Sequence, residues 1–208
     1  MQLIGRDLSP FTRRVGVSLK LLGIPFEWLP LAVVADRERI QQINPLTRVP
    51  ALVVQEDEPA LVESSQILAY IDSLVGPERA LTPASGASQR QVLRLVGIGT
   101  GVMEKGVSSF YERTRRPKEF LYQGWLEQCD RQATDALAVL ENAAGKAAPW
   151  LAGERLTQAD VTAVIAFDFI DYAAPYLAVR ERYPALAQLR DRAHALPAFA
   201  ETALDKYR

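Results

Sequence analysis

Three short segments carry residue types that could do chemistry together. The first is Ser9-Pro10-Phe11-Thr12, two hydroxyls at the start of a helical pattern. A helix N-terminus presents unpaired N–H groups and partial positive charge, which favour an anion. With a hydroxyl donor added, such a position lowers a thiol's pKa from about 8.5. No cysteine stands at Ser9 or Thr12, so this chain alone cannot exchange disulfides. The second segment is Val49-Pro50, directly before the apolar run Ala51-Leu52-Val53-Val54. Proline cannot donate to a sheet ladder, so Pro50 belongs at the start of a strand. A cis Val49–Pro50 bond would leave the Val49 N–H and C=O facing open space, where an extended peptide pairs as an added strand does. The third is Glu63-Ser64-Ser65, before the helical pattern Ile67, Leu68, Ile71, Leu74, Val75. Ser64 or Ser65 reads as the N-cap. The helix start suits a carboxylate and Glu63 suits an ammonium, so the pair forms a seat for the zwitterionic end of an amino acid.

The elements around these segments follow from periodicity and punctuation. Gln2 to Gly5 reads as a short strand, and Asp7 to Pro10 breaks it. From Phe11 the apolar spacing is helical as far as Leu22, with Gly23 and Pro25 as the stop. Phe26 to Leu31 reads as a strand and Asp36 to Ile43 as a short helix. Ala51 to Val54, a polar turn from Gln55 to Pro59, and Ala60 to Val62 read as a hairpin. The order β-α-β-α-β-β-α is the thioredoxin-like arrangement, and its first half requires a parallel pairing through a helix. Residues 77–88 are rich in Pro, Gly and Ser and read as a linker. After it the strand signals stop. Gln89 to Arg113, Glu119 to Ala144, Gln158 to Ala173 and Arg180 to Leu196 carry apolar residues at helical spacing. The expected organisation is an α/β domain over 1–76, the linker, and an all-helical domain over 89–208. Thr157 and Asp160 form a variant capping box at the start of the third of these helices, a folding signal.

Composition narrows the function classes. The chain has 208 residues, 49% of them apolar, and a formal net charge of −1, so nothing global points to nucleic acid or an anionic membrane. There is one cysteine, Cys129, and one histidine, His194, which removes internal disulfides, zinc or iron clusters and leaves little for a histidine-based triad. The start MQLIGRDLSPF is too short and polar for a signal peptide. A cytoplasmic location is the expectation. Gly97-Ile98-Gly99-Thr100-Gly101 does not make a dinucleotide loop: no strand precedes it and the glycine spacing is one residue short. Helical glycines instead mark close helix contact.

NPLTRVPALV, VESSQILAYID, the SPFTRRV turn and LTQADVTAV resemble the cytosolic glutathione S-transferase family over nearly the whole chain, in the bacterial form with a Ser-Pro-Phe start. The resemblance implies a thioredoxin-like N-terminal domain followed by an all-helical C-terminal domain. It implies that Val49, before a cis Pro50, pairs with the cysteinyl part of glutathione, and that Glu63 and Ser64 hold the γ-glutamyl end. It places the sulfur near Ser9 or Thr12, as catalytic hydroxyl donors, with Phe11 beside it. Arg48, Thr47, Gln41 and Gln42 are candidates for the glycyl carboxylate. The acceptor pocket is expected on the first part of the helical domain, at Met103, Val107, Phe110, Tyr111 and Tyr122. Arg113, Arg115, Arg116 and Lys118 read as a solvated helix end or as an attractor for an anionic substrate.

The activity implied is glutathione transfer to a small, hydrophobic electrophile, with glutathione as co-substrate, no metal, a homodimer, and neither nucleic acid nor membrane as partner. Glutathione-dependent isomerisation, dehalogenation or peroxide reduction would use the same residues. A non-enzymatic interaction protein is the alternative of another class. It could dispense with the glutathione seat, whereas Val49, Pro50, Glu63 and Ser64 are all kept here.

Overall fold

The computed structural model describes residues 1–56 and 58–207. Asp57 of the expected hairpin turn, and Arg208, lie outside the described residues. The chain divides into two compact units, Met1–Ala84 together with Pro197–Tyr207, and Ser85–Leu196. The break at Ala84 falls inside the Pro/Gly/Ser-rich stretch. The return of Pro197–Tyr207 to the first unit departs from the sequence reading, which ran the helical domain to 208. Periodicity finds a helix but says nothing of which unit it joins.

Unit 1 is built on a four-stranded sheet in the order β2-β1-β3-β4. The strands are β1 (Gln2–Ile4), β2 (Glu27–Leu29), β3 (Ala51–Val53) and β4 (Leu61–Val62). β1 runs parallel to β2 and antiparallel to β3, and β3 pairs antiparallel with β4. The helix α1 (Pro10–Leu21) makes the crossover between the parallel strands. With α2 (Arg37–Ile43) and α3 (Ser64–Val75) the order is thioredoxin-like. Successive residues of a strand face opposite sides of the sheet. On one side Ile4 and Ala51 pack with Leu31 and with Ile40 of α2. The other side carries Leu3 and Leu52, which are opposite each other in the ladder and fully buried, as α1 and α3 lie against the sheet.

α1 shows how the local sequence sets the site. Ser9 is its N-cap and Pro10, which needs no amide partner, opens it. Thr12, Arg13, Arg14 and Val15 are all buried, so the helix is covered on more than one side. α3 packs along it from one direction and α9 (Pro197–Ala200) from another.

Unit 2 is all-helical: α4 (Gly86–Arg115), α5 (Gln123–Ala144), α6 (Gln158–Ala173), α7 (Val179–Arg182) and α8 (Pro184–His194). The expected helix over Arg180 to Leu196 is two helices, because Pro184 has no N–H to continue the first. α6 is buried at every position from Gln158 to Ile170, and α4 packs against it. A Cβ on Gly99 would lie 2.9 Å from Thr162 Cγ2, and one on Gly106 2.5 Å from Ile170 Cδ1. These two glycines, two turns apart, let α4 approach α6 closely, whereas Gly97 and Gly101 face open space. Among the described residues no single helix is long and apolar enough to cross a membrane.

The start of α6 is fixed by the capping box that Thr157 and Asp160 form. Asp160 is fully buried. Its carboxylate accepts from the N–H of Leu151 at 2.7 Å, the N–H of Thr157 at 2.8 Å and the Thr157 hydroxyl at 2.9 Å. Burial raises its pKa above the ordinary aspartate value, against the lowering effect of those bonds. A raised folded-state pKa means that the group favours folding at low pH, and that this contribution is lost as pH rises through the raised value. Asp160→Ala leaves two backbone donors unpaired and removes a cap, so it should lower stability by about 2–4 kcal/mol in urea unfolding at neutral pH. The deficit should widen as pH falls through the raised pKa toward the ordinary aspartate range.

Candidate functional site

Two of the expected site residues of the first unit, Thr12 and Val49, meet at the end of β1. Gly5 follows β1 with φ +125°, and a Cβ there would lie 2.6 Å from Thr12 Oγ1 and 2.8 Å from Val49 Cβ. Only glycine lets the first turn of α1 and the Val49–Pro50 segment close on the strand end together. Trp28 pins the same point, its indole N–H donating to the Gly5 carbonyl at 2.7 Å.

Ser9 caps α1, its Oγ accepting the Thr12 N–H at 3.3 Å. That uses a lone pair and leaves the hydroxyl proton free to donate. Ser9 and Phe11 are half-buried. Thr12 is 0% exposed and packed against Gly5, so it offers no surface to a ligand's sulfur. Of the two hydroxyls, Ser9 is the one that reaches surface.

The Val49–Pro50 peptide bond is cis. Pro50 is buried and Val49 half-buried, and neither the N–H nor the C=O of Val49 takes a hydrogen bond among the described residues. The loop before them is held by Asn44, which is buried. Its amide donates to the Arg48 carbonyl at 2.8 Å and its oxygen accepts the Leu46 N–H at 3.1 Å. Thr47 takes a positive φ of 52° within this loop. The Arg48, Gln41 and Gln42 side chains are exposed.

At α3 the structure corrects the sequence reading. The N-cap is Glu63, with φ 70°, and not Ser64 or Ser65. Its carboxylate accepts the Ser65 N–H at 3.0 Å and the Ser64 hydroxyl at 3.1 Å, yet the side chain stays 51% exposed. A carboxylate has room for several acceptor contacts, so capping leaves Glu63 able to meet a cation. Ser64 is different. Its hydroxyl is buried and accepts from Arg14, and Ser64 is the first residue of α3, where backbone N–H groups lack an intrahelical acceptor.

Arg14 is the residue the sequence reading missed. It has no exposed surface, and its Nη2 donates to Ser64 Oγ at 2.7 Å and Ser65 Oγ at 2.8 Å, with Glu63 Oε1 4.0 Å away. It therefore ties the middle of α1 to the first turn of α3. The available signal was a pair of arginines, Arg13 and Arg14, directly before the buried run Val15 to Leu19. Charges placed inside an apolar helix face are expensive unless hydrogen-bonded.

In unit 2, Met103 is 0% exposed and belongs to the core, so it does not wall a pocket. Its place on the α4 stripe that packs inward explains the error: core and pocket positions share one periodicity. Val107 and Phe110 are half-buried, and Phe110 meets Phe169 edge-on with centroids 6.3 Å apart. Tyr111 is exposed, under the Arg115 guanidinium at 3.9 Å, and Tyr122 is exposed. The basic run is largely engaged locally. Arg113 pairs with Asp130 and Arg116 with Glu112, at 2.9 and 2.8 Å, which supports the helix-end reading over an anion attractor. Among the described residues no three His, Cys, Asp or Glu side chains are grouped to hold a metal ion. A cavity of 460 Å³ under α2, lined by Gln2, Arg39 and Val53 among others, lies at the far end of β1 and β3 from Gly5 and Val49.

The family model "Glutathione S-transferase, N-terminal domain" matches residues 3–79, and "Glutathione S-transferase, C-terminal domain" matches residues 123–192. A GST-like protein of Escherichia coli, YibF, is 31% identical over 115 residues, 55% of this chain and 56% of that one. Glutathione S-transferase U4 of Arabidopsis thaliana is 43% identical over 75 residues, 36% of this chain and 33% of its own length. The chain thus spans about half, or a third, of the curated relatives it matches. Two solved structures align over 97% of this chain. One is a glutathione S-transferase from Methylobacterium radiotolerans in complex with glutathione sulfonate, at 28% identity, TM-score 0.89 and 93% of that chain. The other is a glutathione transferase family member from Pseudomonas fluorescens with bound glutathione, at 26% identity, TM-score 0.84 and 98% of that chain.

Arg14→Ala removes the donor shared by two serine hydroxyls, leaves a cavity in the covered helix and frees the start of α3. It should lower stability by about 2–4 kcal/mol in urea unfolding. Arg14→Lys keeps the charge but not the two-pronged reach, and should recover less than half of the loss.

Proposed function

The chain belongs to the glutathione S-transferase superfamily, and from that premise we propose that it is a glutathione transferase of the bacterial kind with a Ser-Pro-Phe start. In this reading residues 1–76 bind glutathione, and Val107, Phe110 and Tyr111 of the helical unit are the candidates to contact the acceptor. The working form is a homodimer. The observation that carries the reading is the meeting at Gly5. The end of β1, the Ser9-capped turn and the unpaired backbone of Val49 converge there, in the same unit as the Glu63-capped helix. Glutathione bound in the related Pseudomonas fluorescens structure supports it.

Each group has a defined task. The Val49 N–H and C=O pair with the backbone of the cysteinyl residue. The Ser64 N–H takes the γ-glutamyl carboxylate and Glu63 takes its ammonium. Arg48 meets the glycyl carboxylate from the rim. Phe11 and Pro50 line the path between these points. The sulfur then lies at the N-terminus of α1, where Ser9 donates its hydroxyl proton to the thiolate. The thiol proton passes to solvent, and the thiolate attacks the electrophilic carbon of a small hydrophobic acceptor, forming the S–C bond as the leaving group departs with its electron pair. The rate gain comes from a lowered thiol pKa and from placing the two reactants together.

A hydrogen bond to a charged group is worth about 1.5–3 kcal/mol. Ser9→Ala should therefore cut kcat/KM by about 10- to 100-fold while glutathione still binds. Glu63→Ala should weaken glutathione binding by about tenfold or more, measured by calorimetry. Wild-type protein that binds no glutathione would rule out the transferase and favour an interaction protein.

A further inference from the structure

One segment has no role in that scheme: Pro197–Tyr207, which returns to unit 1 after unit 2 is complete. Its inner side is well packed, with Phe199, Thr202 and Leu204 buried. Two attachments fix it along α1. Arg13 donates from Nε to Thr202 Oγ1 at 3.2 Å, and Lys20 pairs with Glu201. The third attachment lies beyond the start of α1. The Tyr207 hydroxyl donates to Asp7 Oδ1, and the Arg6 guanidinium lies over the Tyr207 ring, 5.1 Å from its centroid.

Arg6 and Asp7 belong to the turn that ends in Ser9. The turn is closed by the Ser9 N–H donating to the Arg6 carbonyl at 3.0 Å. Its two ends are fixed, Gly5 by Trp28 and Leu29, Ser9 by the α1 cap. Between them, two consecutive side chains terminate on one residue from the other end of the sequence. Burial, and then the bond to Asp7, raise the pKa of the Tyr207 hydroxyl, so it stays a donor.

We propose that Tyr207 is a positioning residue for Ser9: by gripping Arg6 and Asp7 it fixes the turn that aims the Ser9 hydroxyl at the bound sulfur. The proposal rests on the glutathione reading above. Two effects act in one direction when the grip is lost. The turn gains freedom, and Ser9 spends less time in the donating geometry. The Asp7 carboxylate, two residues from Ser9, loses the Tyr207 donor, so more of its negative charge opposes the developing thiolate. Arg6 in the turn and Arg48 on the neighbouring loop are the cations that act against that repulsion.

The test follows the thiolate of bound glutathione by ultraviolet absorbance against pH, with kcat and KM for glutathione measured against an activated aryl halide. Tyr207→Phe keeps the ring under Arg6 and removes the donor to Asp7. Its thiolate midpoint should rise by about half a unit, with kcat down about threefold and KM changed less than about twofold. Tyr207→Ala removes both anchors and should move the midpoint by about one unit. Glu201→Ala cuts the other end of the segment from Lys20 and should lower melting temperature while leaving the midpoint in place. Unshifted midpoints in both Tyr207 variants overturn the assignment and leave the glutathione reading intact. An equal shift in Glu201→Ala also overturns it, since the effect then belongs to the whole segment. Wild-type protein that forms no bound thiolate overturns both.

Discussion

A guanidinium with no exposed surface must find its hydrogen bonds inside the protein, and Arg14 finds them at the start of α3. The consequence reaches across unit 1. α1 carries Ser9 at its head, and α3 carries Glu63 and Ser64 at its own. The two helix heads are the anion-favouring points of the proposed site, and Arg14 fixes one relative to the other. In the proposed glutathione reading, the thiol and the γ-glutamyl end of one tripeptide fit both heads at once. A shift between the helices would spoil the fit even with every contacting residue unchanged.

The same interaction explains how Ser64 is used. A serine at a helix start usually turns its hydroxyl back to cap the helix. Here Arg14 draws that hydroxyl inward, and the capping falls to Glu63, which takes a positive φ to reach the Ser65 N–H. The helix start thus carries a backbone donor and a half-exposed carboxylate side by side, with the Ser64 hydroxyl held between Arg14 and Glu63. The geometry that looks strained at Glu63 is the geometry that sorts donor from acceptor at the surface.

Much of this was legible in the sequence. The β-α-β-α-β-β-α order, the Ser9 cap and the Thr157–Asp160 box each depend on a few neighbouring residues, whereas the cis Val49–Pro50 bond was conditional on the residues alone and came from the family resemblance. The misreadings share a cause. Ser64 against Glu63 as cap depends on a partner fifty residues away in Arg14. Met103 against a pocket wall depends on which face of α4 meets α6. Thr12 against Ser9 depends on how closely Gly5 and Val49 approach. Spacing along a chain names the face of a helix, but burial is decided by what arrives from elsewhere.

That distant arrival also bears on the order in which the protein is made. Arg13 and Asp7 are translated well before their partners Thr202 and Tyr207, with the helical unit in between. The ribosome therefore completes the whole helical unit before it supplies the last piece of the first one. Until then α1 lacks the covering that α9 provides, and the nascent first unit waits with one flank open. A gene cut after Ala84 would encode every residue of the proposed glutathione seat, yet not the domain that carries it.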